Sequence, residues 1–196
     1  MTDPASRAPR TTDDVDVVAE VATLASYEAF QGDLRRAGFT EDIFSGVICR
    51  WQHTDSGLVL DAIPAKPELA GFGGVWLQPA AAASVERELP SGALIRVVPP
   101  IHLLATKLEA FADRGEDDCM SSRDFEDIVL LIDSRDELRD EFAKAGDELK
   151  TYVNRQLSRI MRLPNFDYGV EGALATPDAR ERASAITIPR LRAFAQ

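Results

Sequence analysis

Asp14 and Asp16 stand two residues apart in the stretch Pro9-Arg-Thr-Thr-Asp-Asp-Val-Asp-Val-Val18, at the start of a run that reads as a β-strand. Side chains alternate along a strand, so these two carboxylates share one face while Val15, Val17 and Val21 share the other. Carboxylates set side by side repel unless a cation or a proton lies between them. A third acid, Asp61, sits inside Leu58-Val-Leu-Asp-Ala-Ile63 with apolar residues on both sides. That setting predicts partial burial, and a buried carboxylate needs a partner. Asp14, Asp16 and Asp61 on adjacent strands would make an oxygen-only site, which favours Mg²⁺ or Mn²⁺ over zinc. Such a cluster suits two-metal chemistry, in which one ion activates a hydroxyl and the other holds phosphate oxygens. The same spacing also fits a plainer account, with Asp13, Asp14 and Asp16 at a turn and strand edge and Asp61 meeting an arginine; Asp-x-Asp alone does not choose between them.

The elements that would position these residues follow from periodicity. A first strand covers 14–21. Leu24, Tyr27, Phe30 and Leu34 predict an amphipathic helix ending before Gly38. Val47 to His53 reads as a strand, Thr54-Asp55-Ser56-Gly57 as a hairpin turn and Leu58 to Ile63 as the returning strand. Residues 68–83 form a Gly- and Ala-rich connection holding Trp76. Val85–Leu89 and Leu94–Val98 flank Pro90-Ser91-Gly92-Ala93 as a second hairpin. From Pro99 the pattern is helical. Pro100 opens a helix with the stripe Ile101, Leu104, Ala105, Leu108 and Phe111. A second covers about 121–133, capped by Ser121 or Ser122, with Phe125, Ile128, Val129 and Ile132 buried. Residues 135–162 hold one or two more helices with a break at Gly146, and Pro164, Pro177 and Pro189 punctuate a shorter helical end. Strands first and helices later is an α+β plan, with a β-rich part over 1–98 and a helical part over 99–196.

The bulk properties limit the alternatives. The 196 residues are 45% hydrophobic and carry a formal net charge of −11, which argues against broad, non-specific binding to nucleic acid, DNA included, or to anionic membrane, while leaving room for a local basic patch. No apolar run is long enough to span a bilayer. The opening residues lack a signal-peptide core, and the two cysteines, Cys49 and Cys119, form no CxxC pair, so a reducing cytoplasm is the expected setting.

Arg10-Thr-Thr-Asp-Asp-Val-Asp16 resembles the R-x-T-x-D-x-D signature of nucleotidyltransferases in the DNA polymerase β superfamily, and within it the AbiEii/AbiGii toxin family of abortive infection. A second block, Leu103-Leu-Ala-Thr-Lys-Leu-Glu-Ala-Phe-Ala-Asp-Arg-Gly115 followed by Ser122-Arg-Asp-Phe-Glu-Asp-Ile-Val129, is similar to that family's lysine helix and its (K/R)-D-x-x-D-[IL] helix. The resemblance covers roughly residues 9–135. It implies that Asp14 and Asp16 bind the catalytic metal ions and that Asp61 completes the site, orienting or deprotonating the attacking hydroxyl. It implies that Lys107 contacts the triphosphate, that Arg114, Asp124 and Asp127 line or brace the nucleotide pocket, and that Arg10 and Thr12 shape the approach to the phosphates. The implied partners are an NTP, an RNA (tRNA) or protein acceptor and an antitoxin.

The family normally carries Gly-Gly or Gly-Ser ahead of the acidic pair, where backbone N–H groups cradle phosphate. Nine residues precede Arg10 here, and none is glycine. The expectation is therefore either an upstream start or an incomplete cradle, the latter leaving a non-catalytic nucleotidyltransferase-like interaction module. Apolar surface left bare near Val15 and Val17 is a corollary. A metal-dependent phosphohydrolase is a third reading. On the helices, Asp124 or Asp127 is expected to orient Lys107 while the other supports the fold. Arg155, Arg159 and Arg162 make a basic stripe that could hold RNA or be a solvated helix face. His102 reads as a first-turn helix residue, and Trp51 and His53 as packing residues.

Overall fold

The computed structural model describes residues 14–69, 74–115 and 117–195. The fold is α+β, with a small mixed sheet followed by helices. The chain divides into two compact units, one ending at Ser84 and the other running on from Val85.

The first unit is built on a four-stranded sheet of β1 (Asp14–Ala19), β2 (Phe39–Glu41), β3 (Arg50–His53) and β4 (Val59–Pro64), in the order β1-β4-β3-β2. β1 runs parallel to β4, and β3 pairs antiparallel with both β4 and β2. Alternation sends Val17, Leu60, Ala62 and Trp51 to one face, where they pack with Phe30 and Leu34 of helix α1 (Leu24–Arg36) and with Phe39. Thr23 and Ser26 cap the start of α1 reciprocally, satisfying backbone N–H groups that the first turn leaves without partners. Gly38 ends it at φ 89°, a left-handed conformation that glycine adopts without strain. A side chain there would meet the His53 ring, with a β-carbon 3.0 Å from Nε2. Tyr27 ties the helix to the sheet, its hydroxyl 2.9 Å from Cys49 Sγ and donating to the Ala62 carbonyl at 3.4 Å.

Four expectations need correction here. The strand expected from Val47 begins only at Arg50, because Gly46 and Cys49 take φ values of 71° and 66° and break the extended backbone; Val47 and Ile48 are left exposed. β2 is an element the periodicity did not show, since three residues give no pattern to read. The Gly- and Ala-rich connection folds in part, into a 3₁₀ turn (Pro67–Leu69) and helix α2 (Leu77–Ala82), with Trp76 buried. Of the two valines expected at a bare surface, Val15 is exposed and Val17 packs in the core.

The second unit opens with the hairpin β5 (Val85–Glu88) and β6 (Leu94–Val97), exposed along its whole length. Helices α3 (Pro100–Arg114) and α4 (Arg123–Ser134) follow, each burying the stripe read from the sequence. Ser122 caps α4, its hydroxyl accepting from the Phe125 N–H at 3.3 Å. The rings of Phe111, Phe125 and Phe166 pack in sequence, tilted at 5.7 Å and then edge-on at 6.1 Å between centroids. Burying Phe125, Ile128, Val129 and Ile132 contributes roughly 6–12 kcal/mol as an upper estimate. The chain breaks at Gly146 between α5 (Leu138–Lys144) and α6 (Asp147–Ile160), as expected. It ends in α7 (Phe166–Leu174), α8 (Ala179–Arg182), a π-helical turn over Ala183–Thr187 and α9 (Ile188–Ala193). Among the described residues no helix is long and apolar enough to cross a membrane.

Candidate functional site

The face of the sheet opposite its core carries the acids. β1 and β4 pair with Asp14 opposite Val59 and Asp16 directly opposite Asp61. Register partners on parallel strands point the same way, so Asp14, Asp16 and Asp61 share one face. β3 pairs with β4 so that Arg50 is the partner of Asp61 and joins them. Arg50 Nε donates to Asp61 Oδ1 at 2.8 Å, and Nη2 donates to Asp61 Oδ2 at 2.7 Å and to Asp14 Oδ2 at 2.8 Å. Asp61 is buried, Arg50 and Asp14 are half-buried and Asp16 is exposed.

The fork between Arg50 and Asp61 is bidentate, the geometry in which a guanidinium and a carboxylate bind most strongly. Its hydrogen bonds to Asp61, reinforced by the charges of Asp61 and Asp14, raise the Arg50 pKa further above its ordinary value. The partner that burial demands for Asp61 is therefore an arginine, as the plainer sequence account held, and that arginine also grips Asp14. Arg50 thus lies where the sequence pointed to a metal ion bridging Asp14 and Asp61. Three carboxylates and one guanidinium are gathered on this face. The donors on the Asp14–Asp16 side are carboxylate oxygens, the type that hard divalent cations prefer, although among the described residues no group of three or more His, Cys, Asp or Glu is arranged to hold a metal ion. Asp61 has both oxygens committed to Arg50.

The other group of expected site residues assembles in the helical unit. Lys107 Nζ lies 2.6 Å from Asp127 Oδ2 and 3.7 Å from Asp124 Oδ1. Arg114 donates from Nε and Nη2 to the two oxygens of Asp124, at 2.8 and 3.0 Å. Asp127 thus holds Lys107, and the buried Asp124 joins the ends of α3 and α4 through Arg114, the division of labour expected for the two acids. Helical spacing brings this about: Lys107 and Arg114 lie seven residues apart along one side of α3, and Asp124 and Asp127 lie three apart along one side of α4. Two acids and two bases leave this cluster neutral. Arg10 and Thr12 lie outside the described residues.

Of the basic stripe, Arg159 is taken up by the protein, while Arg155 and Arg162 are exposed, the latter past the end of α6. Arg159 pairs with Asp117, donates to Gln156 and lies 6.0 Å from the centroid of the Phe111 ring. Arg155 covers the Tyr152 ring at 5.7 Å. His102 lies in the first turn of α3, where burial lowers its pKa.

Sequence reasoning missed two groups. Arg50 was findable: the turn closes with the His53 N–H donating to the Leu58 carbonyl, and counting outward pairs Gln52 with Val59, Trp51 with Leu60 and Arg50 with Asp61. The second is a buried network in which Arg182 Nε donates to both oxygens of Asp133 at 2.9 Å and Thr187 Oγ1 donates to Asp133 Oδ1 at 2.7 Å. Asp133 closes an amphipathic helix, where a polar residue looks solvated, and no local pattern ties it to Arg182. No protein-family model matches the chain, and a search of curated proteins finds no match.

Proposed function

We propose that the protein is a metal-dependent nucleotidyltransferase that moves a nucleoside monophosphate from an NTP to a hydroxyl of RNA or protein, with release of pyrophosphate. The observation that carries this reading is the register, which sets Asp16 opposite Asp61 and puts Asp14 on the same face. On this reading Asp14 and Asp16 hold Mg²⁺ or Mn²⁺. Such an ion supplies positive charge to the phosphoryl oxygens and the leaving group. Asp61, with both oxygens accepting charged hydrogen bonds, positions Arg50 rather than taking a proton. Arg50 in turn fixes the Asp14 carboxylate, so that the acid facing the ion is set before the substrate arrives. The resemblance assigns Lys107 to the triphosphate, a role in which it would exchange Asp127 for phosphate, and Arg114, Asp124 and Asp127 to lining or bracing the nucleotide pocket. A toxin of a toxin–antitoxin pair, acting in the cytoplasm, is the setting that goes with the reading.

The test is transfer of label from NTPs radiolabelled at the α-phosphate, with Mg²⁺ and a mixture of RNA and protein acceptors. The native protein is expected to label an acceptor, and Asp14→Asn or Asp16→Asn to abolish labelling while leaving the fold intact. Labelling that survives in either variant removes the assignment.

A second reading, a non-catalytic interaction module of the same fold, draws on Arg50. The guanidinium already offsets part of the charge of Asp14 and Asp61, so the face can persist without a metal ion. Calorimetry with NTP and Mg²⁺ separates the two readings, because the module releases no heat.

A further inference from the structure

A groove of about 410 Å³ opens in the helical unit among the end of α4, α5, the π-helical turn and α9. Arg135, Arg139 and Arg190 line it together with one acid, Asp136, over an apolar floor that includes Ile186 and Phe194. The lining carries +2 (+3 − 1), and Glu141, paired with Arg135, lowers this to +1 on a chain whose formal net charge is −11. A cationic hollow on so acidic a protein focuses a field that selects anions.

The three arginines differ in what holds them. Arg190 bonds the Asp133 carbonyl and pairs with Asp136, and Arg135 pairs with Glu141, so both guanidinium groups are oriented in advance. Arg139 is exposed and makes no ion pair or hydrogen bond among the described residues. The wall beside them is braced as well. Asp133, fully buried, binds Arg182 and Thr187, which sit at the two ends of the π-helical turn. A π turn costs helical stability and concentrates at functional sites. This one supplies Ala185 and Ile186 to the groove. Phe194, packed edge-on against Phe142 at 5.1 Å, gives the floor a rigid ring.

We propose that this groove binds a small amphiphilic anion: a flat apolar body about the size of a naphthalene or a nucleobase, bearing one phosphate or carboxylate. The volume lies in the range of small-molecule sites. The apolar floor takes the body, and Arg139 takes the charge with the pre-oriented Arg135 and Arg190 beside it, since a guanidinium fork suits the oxygens of both groups. This site lies wholly within the helical unit and does not rest on the nucleotidyltransferase reading.

The experiment is a calorimetric titration of the full chain with naphthyl phosphate, naphthoate, naphthol and inorganic phosphate. One of the two amphiphilic anions is expected to bind about tenfold or more tighter than naphthol and inorganic phosphate, and which one does so identifies the head group. Arg139→Glu, at an exposed position, and Ala185→Trp, which fills the groove without changing charge, should each weaken that binding about tenfold. Arg155→Glu on α6 should leave it unchanged. The proposal is overturned if inorganic phosphate or naphthol binds as tightly as the amphiphiles, if neither Arg139→Glu nor Ala185→Trp weakens binding, or if no amphiphile binds at millimolar concentration.

Discussion

The carboxylate face of the sheet and the lysine cluster of the helices are made from the same kinds of side chain but closed differently. On the sheet, three acids share a face with one guanidinium, Arg50, which grips Asp14 and Asp61. On α3 and α4, Asp124 and Asp127 meet Arg114 and Lys107, two acids with two bases. Acids matched one for one by bases work as a clamp between two helices. A cluster with more acids than bases raises the local demand for a cation, which is what a metal site needs before the metal arrives. The buried Asp133–Arg182 pair belongs to the clamp class, one acid against one base with the remaining acceptor capacity taken by Thr187. Functional character therefore follows from charge balance more than from residue type.

The largest expected effect tests the clamp class. Asp133→Ala leaves Arg182 buried without its counter-ion and should destabilise the protein by about 3–5 kcal/mol. Urea unfolding measures it, and a loss under about 1 kcal/mol would show that the network is not a clamp. The double change Asp133→Leu with Arg182→Met should recover most of the loss, because it removes both buried charges together.

Next in size is a direct contrast between the two clusters. Asp124→Asn breaks the bidentate pair between a buried carboxylate and the largely exposed Arg114 and leaves Lys107 facing a neutral amide, at a cost of about 1–2 kcal/mol with solvent screening at Arg114. Asp14→Asn removes one of three crowded carboxylates, so the lost bond to Arg50 is partly offset by relief of repulsion, and the cost should stay below about 1 kcal/mol. Equal costs would erase the distinction between clamp and cation site.

How far these clusters were legible in the sequence follows the same division. The alternation around Asp14 and Asp61 and the helical spacing of Lys107, Arg114, Asp124 and Asp127 are local periodicities, and the faces they define were readable. The apolar flanks of Asp61 announced its burial. Arg50 was reachable by counting outward from the turn; what misled was the start of its strand, since Val47-Ile-Cys-Arg-Trp reads as continuous strand although Gly46 and Cys49 turn the backbone and only the last two residues extend. Asp133, Arg182 and the π turn could not be read at all, since their pairing spans 49 residues and depends on how helices pack. Local preferences write faces; tertiary packing decides which charges meet across them.

Smaller still is the effect of removing the guanidinium from the sheet. Arg50→Met leaves Asp14 and Asp61 without their shared cation, so the variant should be less stable than the native protein in EDTA. Mg²⁺ should then restore stability, and more so in the variant than in the native protein. Each tenfold rise in Mg²⁺ above its dissociation constant contributes about 1.4 kcal/mol, read as a rise in melting temperature. The same Mg²⁺ series on Asp16→Asn should show a reduced gain. If Mg²⁺ shifts the melting of Arg50→Met no more than that of the native protein, the three carboxylates attract no divalent ion and the metal half of the proposed function falls.

The smallest effect lies in the helical unit and separates its pH response from that of the sheet. Burial disfavours the charged form of His102, and its Nδ1 has no hydrogen-bond partner among the described residues, so its folded pKa falls below the ordinary 6.5. Between those two values the unfolded chain holds more protons than the folded one, and stability rises with pH. The contribution of the neutral ring is complete above about 6.5 and is lost as pH falls through the folded value. His102→Gln, which has no titrating ring, should lose that part of the slope while keeping the steeper losses set by carboxylates at lower pH. Urea midpoints at intervals across the weakly acidic range, on both proteins, measure the difference. Parallel curves would mean that His102 reaches solvent on protonation and contributes nothing to the acid response of α3.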